Sequence, residues 1–269
     1  MQFDLWKVLI LAVVQGIGEF LPISSSGHVV VAAALLKSTK DSLDVADLNI
    51  VLHLGTLLSI LVFYWRRILD LLTQDRRVIG LIVLGTIPAV VVGLPLKKLC
   101  GWVLSDPLVA GCMFPVTGAV LLWASRHSQG TIDYRQMSWK EALLIGCAQA
   151  AAIMPGLSRS GSTISAALGV GLKRESAATF SFLLAIAAIA GAGVLEGIDV
   201  LKAVKDNAYQ PSATPLNMLI GAAVAFVVGL GSLWVLVRLL ERGRLTVFAW
   251  YCIALGVVVI AWQVSLRMQ

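Results

Sequence analysis

Hydrophobic residues fall along this chain in long unbroken runs instead of the alternating or one-faced patterns of a soluble fold. Six runs, residues 47–65, 78–96, 107–123, 177–196, 215–239 and 245–264, are apolar on every face and long enough for a helix to cross a hydrocarbon core of about 30 Å. Basic or turn-rich segments separate them. Two further apolar regions are interrupted. Residues 5–21 are followed by Pro22-Ile-Ser-Ser-Ser-Gly27 and then 29–36; residues 142–154 are followed by Pro155-Gly-Leu-Ser-Arg-Ser-Gly161 and then 164–172. A return run of eight residues makes about 12 Å of helix, enough to come back from the middle of a bilayer but not to cross it. The pattern predicts an all-α integral membrane protein with six transmembrane helices and two re-entrant helical hairpins.

Laid over each other at an offset of 134 residues, the two interrupted regions align Gln15 with Gln149, Ser24 with Ser158, Ser26 with Ser160 and Gly27 with Gly161. The order of elements repeats as well: one hairpin, then three spans. Three crossings between equivalent points place the second hairpin upside down relative to the first, an inverted-topology internal repeat within one membrane domain, 1–269, with repeat one about 1–130 and repeat two about 135–269.

Composition agrees with the pattern. The 269 residues are 58% hydrophobic and 13% charged, against roughly 45–50% apolar in soluble domains, so a water-soluble enzyme fold is excluded. The net charge of +6 suits basic loops at anionic lipid, and nucleic acid is discounted as a partner. With the hairpins returning to their own sides, twelve Lys and Arg lie on the side of Arg66, Arg67, Arg76, Arg77, Arg126 and Arg242, and eight on the other. The positive-inside bias then puts both termini and the mouth of the first hairpin outside the cytoplasm. No removable leader is expected at the N-terminus. The four cysteines are scattered singly and read as small core residues. Small residues along the spans would serve internal packing or a possible homodimer equally well.

Backbone breaks at membrane depth must be buried in protein or line a wet cavity, since lipid cannot satisfy the freed amides and carbonyls. Two breaks facing each other would define a site. The return helices are expected to begin after Ser24, Ser25, Ser26 and Gly27 and after Ser158, Arg159, Ser160 and Gly161, with their positive ends toward the midplane. The serine hydroxyls, Thr163 and the permanently charged Arg159 add donors suited to phosphate. Glu19 lies one turn beyond Gln15 on the same helix face. It would repel a phosphate unless a divalent cation, Mg²⁺ or Ca²⁺, bridged the two; its other reading is a carboxylate capped by serines or paired with Arg159. His28, directly after the serine run, could attack phosphorus or serve as base for Ser25, or could simply hold a structural hydrogen bond. His53 reads as a helix-packing residue, with nothing nearby to support a relay, and Glu196 and Asp199 read as charges at the end of a span.

These motifs, Gln15-Gly-Ile-Gly-Glu19 running into Pro22-Ile-Ser-Ser-Ser-Gly-His28, and Pro155-Gly-Leu-Ser-Arg-Ser-Gly-Ser-Thr163, resemble those of the undecaprenyl-pyrophosphate phosphatase family of bacitracin-resistance proteins. The resemblance extends to Phe63-Tyr-Trp-Arg-Arg67 and Phe180-Ser-Phe-Leu-Leu184. It implies hydrolysis of undecaprenyl diphosphate to the monophosphate lipid carrier, recycling the carrier for cell-wall polysaccharide synthesis and conferring bacitracin resistance. It also implies a divalent-metal requirement and a site in the bacterial cytoplasmic membrane open to the periplasmic side. Carried over residue by residue, it makes Glu19, Ser25, His28 and Arg159 catalytic. Gln15, Ser24, Ser26, Gly27, Ser158, Ser160, Gly161 and Thr163 become substrate-binding, and Glu19 with Gln15 metal-binding. Ser26 stands where the family usually has threonine, and Gln15 leaves one charge fewer for a cation. The competing reading is a polyprenyl-phosphate flippase or transporter using the same midplane anion site, because inverted repeats with broken helices are also a transporter layout.

Overall fold

Long apolar runs, bounded by residues that satisfy free amides, set the helix limits, and they continue through Pro88, Pro95 and Pro115. Asp106 accepts from the Leu108 amide at the start of the helix Pro107–Arg126, Ser138 and Glu141 form a capping box before Trp139–Ala151, Ser158 caps Arg159–Gly169 and Thr214 caps Pro215–Glu241. The structure, a computed structural model, describes residues 3–36, 46–127, 130–206 and 211–268. In chain order its α-helices are α1 (Leu5–Gly18), α2 (Ser25–Leu36), α3 (Ala46–Phe63), α4 (Trp65–Thr73), α5 (Arg76–Leu99), α6 (Pro107–Arg126), α7 (Trp139–Ala151), α8 (Arg159–Gly169), α9 (Arg174–Lys205), α10 (Pro215–Glu241) and α11 (Leu245–Arg267). Among the described residues the only β pairing is an isolated bridge between Ile132 and Leu172.

Among the described residues five helices, α5, α6, α9, α10 and α11, are long and apolar enough to cross a membrane, so the chain is a multi-pass helical membrane protein. A sixth crossing needs α3 and α4 together, and these bend by 70° at the break. The expected run 47–65 therefore does not continue straight to its end. Tyr64 leaves helical geometry, is buried, and stacks on Phe182 at 5.8 Å. Beyond it α4 carries Arg66, Arg67 and Asp70, side chains that favour an aqueous boundary over lipid. The fourth run also differs: α9 continues through Glu196 and Asp199 to Lys205, with Asp199 paired to Lys97 of α5 at 3.0 Å. Those two acids sit within a helix and do not end it.

Small residues bring the helices together. α6 lies along α11, where a side chain at Gly111 would press on Val259 and one at Gly118 on Ile253. α5 lies along α7 with Gly85 against Gly146, so closely that a Cβ on Gly146 would collide with the Gly85 carbonyl. The main core, with Phe20, Ile164, Leu168, Phe180 and Phe182 fully buried, surrounds the ends of α1 and α8 and the first half of α9.

Polar contacts define two ends. At one, the Phe3 amide bonds to the Ser212 carbonyl at 2.6 Å and the Ser212 amide to Asp47 at 2.9 Å, which brings together the starts of α1, α3 and α10. At the other, Arg135 meets Asp75 at 2.6 Å, Arg67 meets Glu175 at 3.1 Å and Arg77 donates to the Met137 carbonyl at 2.6 Å. There the Ile132 amide bonds to the Gly171 carbonyl at 3.0 Å and Lys173 back to Ile132 at 2.9 Å. The chain entering α7 and the chain leaving α8 thus lie at one end.

Candidate active site

Proline and a few unusual backbone angles make the two breaks. After α1, Pro22 cannot donate to the preceding turn. Ser24 then takes a left-handed conformation, φ 70°, costly for a residue with a Cβ. Its Oγ accepts from the Gly27 amide at 3.3 Å and from the Gly156 amide, in the other break, at 3.1 Å. After α7 the equivalent role is shared: Gly156 takes φ 89°, and Ser158 Oγ accepts from the Gly161 amide at 3.1 Å. Thr117 of α6 clamps this loop, donating to the Gly156 carbonyl at 2.8 Å and accepting from the Ser158 amide at 3.0 Å. The return helices begin at Ser25 and Arg159. The expectation that they start after Gly27 and Gly161 is corrected, because Ser24 and Ser158 are the capping residues and the polar run forms the first helical turn.

The breaks touch. A Cβ on Gly27 would lie 2.7 Å from Gly156 Cα and 2.8 Å from the Phe114 ring, and Ser160 Oγ donates to the Leu21 carbonyl at 3.3 Å. At this crossing Arg159 donates through Nη2 to Glu19 Oε1. Oε2 of the same carboxylate accepts from Gln15 Nε2 at 2.9 Å and Ser25 Oγ at 3.0 Å. Glu19 is buried and the Arg159 side chain only 16% exposed, so an acid and a base from opposite hairpins meet away from bulk solvent. Glu19, Ser25, Gln15 and Arg159 are all brought together.

The other predicted groups divide. Ser24, Ser158, Ser160 and Thr163 are buried, and their hydroxyls are engaged within the breaks: Ser24 with Ser26 at 3.3 Å, Ser158 with Ser160 at 3.2 Å, and Thr163 with the Arg159 carbonyl at 2.8 Å and with Ser181 of α9. Gly27 and Gly161 serve as close-approach positions, and Ser26 is exposed. His28 lies one turn into α2. Its Nδ1 meets the Ser24 carbonyl at 2.7 Å, and since a carbonyl only accepts, Nδ1 carries the proton. Nε2 meets the Tyr251 hydroxyl at 2.8 Å, with the two rings parallel. His28 therefore bonds Ser24 and Tyr251, while the Ser25 hydroxyl goes to Glu19.

Sequence reasoning set one neighbour aside and did not find others. His53 of α3, read as a packing histidine with nothing nearby to support a relay, has Nε2 3.7 Å from Glu19 Oε2, and that reading is corrected: it is part of the cluster. Tyr251, Thr117, Ser181 and Cys252, whose Sγ lies 3.7 Å from the Pro22 carbonyl, arrive from distant helices that no local spacing connects to the motifs.

Among the described residues several buried polar atoms here have no partner: Gln15 Oε1, Arg159 Nη1 and both amide atoms of Gln149. Such atoms cost stability unless a ligand or water satisfies them. As a test for a divalent cation, Gln15 Oε1 and the Glu19 carboxylate are hard oxygen donors of the right kind, though among the described residues no three His, Cys, Asp or Glu cluster as a complete ligand set. The residues fit an ion that takes its remaining ligands from water and phosphate.

Residues 8–258 match the family model described as bacitracin resistance protein BacA. The chain is 49% identical to an undecaprenyl-diphosphatase of Rhodopirellula baltica, over 96% of this chain and 97% of that one. It is 37% identical to an undecaprenyl-diphosphatase of Methanosphaera stadtmanae over 98% and 99%, and 36% identical to one of Halothermothrix orenii over 96% and 97%. With a family model and full-length relatives in agreement, this chain belongs to the bacitracin resistance protein BacA family.

Proposed function

We propose that this chain is a membrane phosphatase that hydrolyses undecaprenyl diphosphate to undecaprenyl phosphate and inorganic phosphate, recycling the lipid carrier and conferring bacitracin resistance. The relatives' shared name, undecaprenyl-diphosphatase, supports the substrate. The observation that carries the chemistry is the buried contact of Arg159 with Glu19, with Ser25 on the same carboxylate. An anion donor, a nucleophile and a proton acceptor then stand together within the membrane-embedded part of the fold.

The same reading makes α1–α2 and α7–α8 re-entrant hairpins related by an inverted repeat, in two units of about 1–130 and 135–269. The joined ends of α7 and α8 support it, as does the pairing of α1 with α10 and α7 with α5. The end rich in Arg67, Arg77, Arg135 and Arg174 would face the cytoplasm of a bacterial cytoplasmic membrane, and the first hairpin would open to the periplasm.

In the mechanism, the isoprenoid tail lies between helices and Arg159 holds the diphosphate through its unpartnered Nη1, with Gln149 available from the second hairpin. Ser25 Oγ attacks the terminal phosphorus as its proton passes to Glu19, and the bond to the bridging oxygen breaks, releasing undecaprenyl phosphate. Water then attacks the phosphoserine, its proton passing to the Tyr251 hydroxyl as that hydroxyl gives its own to His28 Nε2, and Ser25 leaves with the proton from Glu19. Gln15 and Glu19 would hold a divalent cation, which when bound supplies charge neutralisation at the phosphate oxygens.

Phosphate release from farnesyl diphosphate by the purified protein, with and without EDTA, tests this. Loss of release in Arg159→Ala and His28→Ala is expected. Binding of the lipid without release of phosphate from any prenyl diphosphate would instead make the chain a carrier.

A further inference from the structure

His53 stands beside the Glu19 carboxylate, an ion pair when its ring is protonated but too far for a hydrogen bond. Its Nδ1 lies 2.8 Å from the Asn49 carbonyl, one turn back along α3, so Nδ1 carries a proton and the ring, when neutral, presents a bare lone pair at Nε2. That nitrogen faces Glu19 Oε2 at 3.7 Å. Two acceptors set toward each other repel unless something positive lies between them. The gap is long for a hydrogen bond, and close to the separation of about 3.0–3.4 Å that two neighbouring ligands have across an ion bound at roughly 2.1 Å to each. A second observation lies beside it: the amide of Gln15 touches Glu19 through Nε2 and leaves Oε1 buried and without a partner among the described residues, and turning the amide over, which keeps its shape, would set Oε1 toward Glu19 Oε2. His53 is a third exposed on its open side, which leaves access for water and a phosphate to complete a coordination shell.

We propose that His53 Nε2 is a ligand of the divalent cation, with Glu19 Oε2 and Gln15 Oε1, so that the ion sits between α1 and α3. An imidazole nitrogen among oxygens shifts preference from Ca²⁺ toward transition ions such as Zn²⁺, with Mn²⁺ between them, and it adds a third protein donor without adding charge. This rests on the metal-dependent phosphatase reading above, and its test reads the ion directly.

Untagged full-length protein in detergent is titrated with Mn²⁺ and followed by electron paramagnetic resonance, with spin-echo modulation to detect a coupled imidazole nitrogen. The wild type is expected to bind one Mn²⁺ with that coupling. His53→Ala and His53→Gln are expected to lose the coupling and bind Mn²⁺ at least tenfold more weakly, with Ca²⁺ affinity changed less than threefold. His28→Ala is expected to keep the coupling. Bound Mn²⁺ without nitrogen coupling in the wild type, coupling that persists in both His53 variants, or no Mn²⁺ binding overturns the assignment. Phosphate release that continues in EDTA overturns the metal-dependent reading itself, separately from His53.

Discussion

Arg159 and Glu19 are 140 positions apart in sequence, yet the guanidinium of one donates to the carboxylate of the other where the two hairpins cross. Removing either partner leaves a buried charge alone, at a cost of about 3–5 kcal/mol. Arg159→Ala is expected to lower the melting temperature in detergent and to reduce phosphate release by a factor on the order of 10²–10³. The double variant Arg159→Ala, Glu19→Gln is expected to regain much of the stability and none of the activity. A double variant as unstable as the single one would mean that the pair is not the source of the loss.

Gly27 measures how closely the breaks must approach. A methyl group there meets the Gly156 backbone and the Phe114 ring at 2.7–2.8 Å, and neither backbone nor buried ring can yield cheaply. Gly27→Ala is expected to cost about 1–3 kcal/mol and to separate Arg159 from Glu19, lowering both stability and turnover. Gly191→Ala, with open space around the added carbon, is the control and should change neither. Equal melting temperatures for the two variants would show that the contact can relax.

Adjacent serines should separate stability from chemistry. Ser24 Oγ accepts from the Gly27 amide of its own break and the Gly156 amide of the other, and Ser25 Oγ donates to the Glu19 carboxylate. Ser24→Ala is expected to lose about 1–3 kcal/mol from unsatisfied buried amides, with activity falling in step with the folded fraction. Ser25→Ala is expected to keep its melting temperature within a degree or two and to lose nearly all turnover. Melting curves and phosphate release measured on the same preparations check both, and a stable, active Ser25→Ala would move the attacking role to His28 or water.

How much of this was legible depends on the range of the signal. Uniformly apolar runs mark α5, α6, α10 and α11 because spanning lipid demands length and composition, both local properties. The motifs placed Glu19, Ser25 and Arg159 for a similar reason: prolines and serine caps act within a turn or two. The bend at Tyr64, whose ring stacks on Phe182, and the reach of α9, where Asp199 pairs with Lys97 of α5, escaped because both are matters of contact between distant helices. His53 and Tyr251 were beyond reach for the same cause. Spacing along a helix says which face a residue shares, but not which helix lies opposite. The 134-residue offset held one further clue, for Ile153 stands where Glu19 does and Arg159 where Ser25 does. The halves are alike in shape and divided in chemistry, the acid coming from one and the base from the other.

Gln149 gives a test in which stability and binding should move in opposite directions. It occupies in the second hairpin the position of Gln15 in the first; its side chain is buried and neither amide atom has a protein partner. An unsatisfied buried amide costs about 1–3 kcal/mol, and an apolar replacement of similar shape removes that cost. Gln149→Leu is therefore expected to raise the melting temperature of the ligand-free protein. If the amide meets the diphosphate, the same variant should raise KM for farnesyl diphosphate at least fivefold, with kcat changed less, because an interaction made equally in the bound and transition states is lost. The stabilising effect of saturating inorganic pyrophosphate should shrink in parallel. A more stable variant with unchanged KM would assign the unpaired amide to a packing compromise and leave the phosphate to Arg159 and the first hairpin.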